Sequence, residues 1–163
     1  TNHGELANRL MHPSYEVKRE YMARIHGTVD EAMIKRLTEG VLLEDGVARF
    51  QSVKAQHARG EHDEGGSNRW FRVILAEGRT REVRRLWESQ DVEVNRLKRI
   101  SYGPIDLPSI VRSSDFIELD PKQVISLFHA VNLRAPRISE KSVVREMRER
   151  KKKKLRARGN TYK

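Results

Sequence analysis

The run Trp70-Phe71-Arg72-Val73-Ile74-Leu75 leads into Gly78 and then into a helical period, and this join constrains the fold most. The first six residues read as a strand, and the glycine breaks that pattern. Val83, Leu86 and Trp87 then share one face at i, i+3 and i+4, while Arg81, Arg84 and Arg85 share the other. Like charges at that spacing repel by roughly 0.2–0.5 kcal/mol per pair, so the row calls for an anion nearby. A glycine turn feeding a helix start points several N–H groups one way, which also suits an anion. A solvated basic face and a site for phosphate or carboxylate both fit.

The rest of the chain supplies the partners of that strand and helix. Thr1 to Gly4 reads as a turn, followed by a short helix with Leu6 and Leu10 on one face and Pro13 closing it. Arg19 to His26 alternates, with Tyr21, Ala23 and Ile25 on one side, which predicts a strand. Thr28 with Glu31 reads as a capping box, Met33, Ile34 and Leu37 as the apolar stripe, and Gly40 as the stop. Val41-Leu42-Leu43 and Val47 to Phe50 flank a turn at Asp45-Gly46, a hairpin signal. Arg59 to Ser67 reads as a loop. Val92 to Ile100 reads as a strand that Tyr102-Gly103-Pro104 turns, and Asp115 to Leu119 as a last strand. Asp120, Pro121 and Gln123 place a cap, an N1 proline and an N3 glutamine before a helix to about Val131. Hairpin links outnumber parallel crossovers, so the expected class is α+β, a mixed, largely antiparallel sheet flanked by helices.

Charge divides the chain unevenly. The segment 134–163 carries 13 Lys/Arg against 3 Asp/Glu, which leaves 20 of each in residues 1–133. A neutral domain over 1–133 with a basic tail over 134–163 suits a nucleic-acid partner, since neutralising phosphates releases counterions. Lys151, Lys152, Lys153 and Lys154 repel one another, so the tail is expected to stay disordered until it meets a polyanion. It lacks the bulky apolar face that would anchor it to a membrane surface. No apolar run is long enough to span a bilayer, and the absence of cysteine fits a reducing cytoplasm. The start at Thr1, without methionine, suggests a piece of a longer or processed protein.

Several chemistries lack their residues. The six histidines show no metal-binding spacing, so no metal is expected. Ser-His-Asp and G-x-S-x-G patterns, a Walker loop and G-x-G-x-x-G are all missing, so no cofactor is implied. Tyr21 starts its strand after the charged segment Glu16 to Glu20 and reads either as a core tyrosine or as one facing a cleft. Leu97, between Arg96 and Arg99, reads on its own as core.

Taken together, four segments resemble one family. Thr1-Asn2-His3-Gly4-Glu5-Leu6-Ala7-Asn8-Arg9-Leu10-Met11-His12-Pro13 resembles the stretch after the catalytic motif of the RsuA/RluB family of ribosomal RNA pseudouridine synthases. Arg19-Glu20-Tyr21 looks like its second motif and Gly78-Arg79-Thr80-Arg81-Glu82-Val83-Arg84-Arg85 like its third. Leu97-Lys98-Arg99-Ile100 with Tyr102-Gly103 looks like the segment that follows, so the resemblance runs from Thr1 to about Leu133 in one order.

The resemblance implies a pseudouridine synthase fold and cofactor-free isomerisation of uridine to pseudouridine in ribosomal RNA of the large subunit. It implies a cytoplasmic monomer with no membrane partner. By motif position, Tyr21 would stack on the flipped uracil and assist proton removal. Arg84 would pair with the nucleophilic aspartate, and Leu97 would floor the uracil pocket. Arg79, Arg81, Arg85, Arg99 and Lys151 to Lys154 are assigned to RNA. The family's aspartate lies in a G-R-L-D motif just ahead of the residue matching Thr1, so these 163 residues are expected to be inactive alone. The family's small N-terminal RNA-binding module would also precede them. His3 stands where an aspartate is common, and Asp30, Asp45, Asp63, Asp91, Asp106, Asp115 and Asp120 have no comparable setting. A non-catalytic RNA-binding or ribosome-assembly protein of the same fold is the alternative, and G-R-L-D upstream of Thr1 would discriminate. A generic basic α+β domain would leave the arginine row and Tyr21 without a common purpose.

Overall fold

A computed structural model describes residues 1–56, 68–108, 110–111 and 114–136. The chain divides into two compact units, Thr1–Phe116 and Ile117–Lys163. The first holds α1 (Gly4–Met11), β1 (Arg19–His26), α2 (Glu31–Glu39), β2 (Val41–Leu43) and β3 (Gly46–Ala48). It continues with β4 (Ser52–Gln56), β5 (Asn68–Leu75), α3 (Glu82–Glu88), β6 (Glu93–Tyr102) and β7 (Ile105–Asp106). A five-stranded sheet runs in the order β4-β5-β1-β6-β7, and β2 with β3 forms a separate two-stranded one. Every pairing is antiparallel, so the class is α+β as expected.

Alternation decides the sheet. Ala23 and Ile25 of β1 and Phe71, Val73 and Leu75 of β5 turn to one side and are buried. Met33 and Leu37 of α2 and Val83, Leu86 and Trp87 of α3 join the same cluster. Trp87 is 0% exposed, with ring centroids 5.7 Å from Phe50 and 5.2 Å from Phe71. One polar side chain is buried with them structurally rather than paired. Arg19, 6% exposed, donates to the carbonyls of Val17 (3.2 Å), Ala76 (3.1 Å) and Leu10 (3.4 Å), and its guanidinium lies 5.1 Å over the Tyr102 ring. It thereby ties the end of α1 to the segment that follows β5.

The structure corrects two expectations and adds two strands. Asp30, not Thr28, caps α2, its side chain accepting the Met33 N–H at 2.7 Å. The helix therefore begins two residues later than the Thr-x-x-Glu spacing suggests, with Val29 buried between the two positions. Asp30→Ala is therefore expected to cost about 1 kcal/mol of stability, and Thr28→Ala only a few tenths; urea midpoints of the two variants check the assignment. Asp115 to Leu119 forms no strand: its residues have no ladder partner, and Phe116 is 80% exposed. The edge of β6 beyond the turn is taken instead by β7, a two-residue strand that pairs Ser101 with Asp106 and Tyr102 with Ile105. β4 is a further strand with too weak an alternation to read.

In the second unit, α4 (Pro121–Ala130) begins as the sequence predicts. Asp120 accepts the Gln123 N–H at 2.8 Å while the Gln123 side chain accepts the Asp120 N–H at 3.0 Å, a complete capping box. The expected loop over Arg59 to Ser67 and the basic residues Lys151 to Lys154 lie outside the described residues. Among the described residues, no helix is long and apolar enough to cross a membrane.

Candidate active site

The site lies beside α3, on the side of β1, β5 and β6 that carries Tyr21, Leu75 and Leu97. β1 carries Tyr21, paired in register with Val73 of β5 and Arg99 of β6, and Ala23 next along it pairs with Leu97. Tyr21 and Leu97 therefore project to the same side of adjacent strands, each half-buried against the core. After β5 the chain turns at Gly78, and Arg81 takes the left-handed conformation (φ 52°) as the residue ahead of α3. A Cβ on Gly78 would lie 2.9 Å from Arg19 Cζ, so any larger residue in this turn would have to displace that guanidinium. From α3, Arg84 donates to the carbonyl of Val94, which fixes its stem beside β6. Tyr21, Arg84 and Leu97 line one cavity of about 160 Å³, walled further by Glu77, Arg79 and Glu82. The three residues singled out for catalysis and uracil binding thus meet.

Within the described residues, carboxylates meet Arg85 and Arg81 of the arginine row, while Arg84 meets a backbone carbonyl. Arg85 makes a bidentate pair with Asp45 at 2.9 and 2.8 Å, forty residues away in the β2–β3 turn. Arg79 pairs with Glu77 at 2.7 Å and donates to the carbonyls of Asp45 (3.2 Å) and Val47 (3.0 Å). The hairpin is thereby bound to the cavity wall. The hydrogen bonds from Arg85 hold the Asp45 carboxyl below the usual aspartate range. Arg81 is exposed, with Glu88 at 3.6 Å, and Arg99 is exposed with its guanidinium 5.1 Å over Tyr102. The start of α3 is not an open anion site either, because Glu82 accepts the Arg79 N–H at 3.1 Å.

Glu82 is the residue the sequence reading missed. It is 3% exposed, and burial pushes its carboxyl above the usual glutamate value of 4.5, opposed by the Arg79 N–H. A carboxyl whose folded pKa is raised contributes stability at acid pH that is lost as pH rises through that value. Glu82→Gln keeps an acceptor for Arg79 and removes the charge. The variant is expected to gain stability over the parent as pH rises from below 4.5 to neutral; a constant difference in urea midpoints across that window would contradict this. Among the described residues, no three His, Asp or Glu side chains gather as metal ligands would.

Comparison with known proteins now bears on this geometry. No family model matches the chain. It is 49% identical over 134 residues to the ribosomal large subunit pseudouridine synthase B of Pseudomonas aeruginosa, covering 82% of this chain and 33% of that protein. To the protein of that name from Vibrio cholerae it is 52% identical over 134 residues, covering 82% and 40%. To that from Escherichia coli it is 49% identical over 152 residues, covering 93% and 50%. The chain spans a third to a half of the length of these relatives. Its fold is similar to a crystal structure of a pseudouridylate synthase, with a TM-score of 0.63 at 20% identity, over 78% of this chain and 52% of that one. By sequence and by fold, the chain belongs to the pseudouridine synthase family that these ribosomal large subunit pseudouridine synthases B represent.

Proposed function

We propose that this chain forms the uracil-receiving part of an enzyme that isomerises a uridine of large-subunit ribosomal RNA to pseudouridine without a cofactor. The observation that carries the reading is the convergence of Tyr21, Arg84 and Leu97 on one cavity. A void of about 150 Å³ is enough to hold a benzene ring, so a single six-membered base fits the available space. A base inside a stem must be extruded before chemistry, and aromatic and apolar walls receive it. Tyr21 supplies the stacking face and assists proton removal, and Leu97 supplies the floor. The nucleophilic aspartate comes from a segment ahead of Thr1, and Arg84 pairs with it, since an opposite charge favours the ionised carboxylate. The aspartate attacks C1′ as the N-glycosidic bond breaks; the uracil turns, its C5 bonds to C1′ as the bond to the aspartate breaks, and the proton lost from C5 is balanced by one taken up at N1.

Exposed Arg81 and Arg99 meet RNA phosphates directly; Arg79 and Arg85 do so by exchanging Asp45 and Glu77 for phosphate oxygens. Lys151, Lys152, Lys153 and Lys154 add contacts from the tail. The enzyme works as a cytoplasmic monomer. The test compares the 163-residue chain with the complete protein on a ribosomal RNA stem-loop. Pseudouridine is expected from the complete protein only. Turnover by the 163 residues alone would refute the external nucleophile, and tight binding without turnover by the complete protein would favour a non-catalytic RNA-binding protein.

A further inference from the structure

The sheet has a second face, turned away from the cavity, and strand register fixes what it carries. Directly opposed residues on neighbouring strands project to the same side. Lys54 stands beside Arg72, Arg72 beside Met22, and Met22 beside Lys98. The next row along the strands places Gln56, Trp70, Arg24 and Arg96 side by side. The row on one flank holds Glu20 and Asp106 on either side of Ser101, and the row on the other flank places Glu93 opposite His26. Two adjacent rows across the middle of the face are therefore basic, with carboxylates in the rows on either side.

Its internal compensation stops at the first basic row. Glu20 is taken by Arg72, at 2.6 and 2.7 Å. Among the described residues, Arg24, Arg96 and Lys98 have no carboxylate partner. Arg24 and Arg96 oppose each other directly, an arrangement that destabilises a sheet unless an anion intervenes. Arg24 Nε is enclosed without a hydrogen-bond partner. Trp70 stands half-buried beside Arg24, and aromatic side chains among cations are the composition of grooves that track a nucleic-acid backbone.

We propose that this face, centred on Arg24, Arg96 and Lys98, binds the phosphate backbone of an RNA strand outside the uracil cavity. Two rows set about 6.6 Å apart by the strand rise present cations repeatedly along one direction, as a strand of phosphates requires. The proposal rests on RNA being the substrate of the enzyme, and it assigns that RNA a second contact surface. None of its residues lines the cavity, so the effect falls on binding rather than on the chemical step.

The test measures affinity of the full 163-residue chain for a labelled, unmodified RNA stem-loop across a potassium chloride series. Each phosphate contact adds about 0.7–0.9 to the slope of log affinity against log salt. The triple variant Arg24→Gln, Arg96→Gln, Lys98→Gln is expected to bind at least tenfold more weakly at low salt, with a slope shallower by about 2. Gln56→Lys adds a cation to the same row and is expected to tighten binding and steepen the slope by about 0.7–0.9, which loss of folding cannot imitate. Unchanged slopes in both variants overturn the proposal. So does loss of binding to phosphatidylserine vesicles with RNA binding intact, which assigns the face to a lipid surface. Failure of the complete protein to form pseudouridine, with these slopes shifted, would remove the function reading and leave this surface standing.

Discussion

Replacing Arg84 with alanine in the complete enzyme is expected to cut turnover about 100-fold or more, because removing one partner of a buried ion pair costs about 3–5 kcal/mol. On the proposed reading, the other partner is an aspartate that docks into the cavity beside Tyr21 and Leu97, left uncompensated in the variant. Affinity for RNA should stay within about fivefold, since one exposed contact is worth at most about 1 kcal/mol. Arg84→Lys keeps the charge but lacks the planar fork that also reaches the Val94 carbonyl, so an intermediate rate is expected. Single-turnover kinetics beside equilibrium binding check this. A loss of affinity equal to the loss of rate would place Arg84 on the RNA backbone and remove the proposed pairing.

Trp87→Ala is expected to cost about 3–5 kcal/mol, a large share of the roughly 5–15 kcal/mol that holds a domain together. The indole is fully buried between Phe50 and Phe71, and it joins α3 to the strand and loop on either side. Because α3 carries Arg84, the cavity wall should be lost with the core. Trp87→Phe should cost much less, because the indole Nε1 has no hydrogen-bond partner to lose. Denaturant midpoints of the two variants give the comparison, and equal losses would mean that the N–H matters more than the ring contacts.

The long strands were legible because their alternation has a physical cause. β1 and β5 each bury one side, and a strand with one buried side writes that side into every second residue, whereas register shifts against β1 break the alternation of β6. The start of α4 was legible because caps are local chemistry. β4 and β7 were not: both are edge strands, one with only partly buried side chains and one of two residues. Asp115 to Leu119 misled for the converse reason, an alternating run that joins no strand ladder. At the site, Tyr21, Arg84 and Leu97 were found by their resemblance to motifs, and their common cavity required the fold. Asp45 could not be found, since nothing in its own turn points to an arginine forty residues on. Glu82 was hidden too, because an acid in the first turn of a helix ordinarily reads as a partner of the helix dipole.

The guanidinium of Arg19 grips the carbonyls of Leu10 and Ala76 and fills the space that a side chain at position 78 would need. Helix α1 and the glycine turn are for that reason two ends of a single lever. A shift of either breaks hydrogen bonds to the one guanidinium that both share.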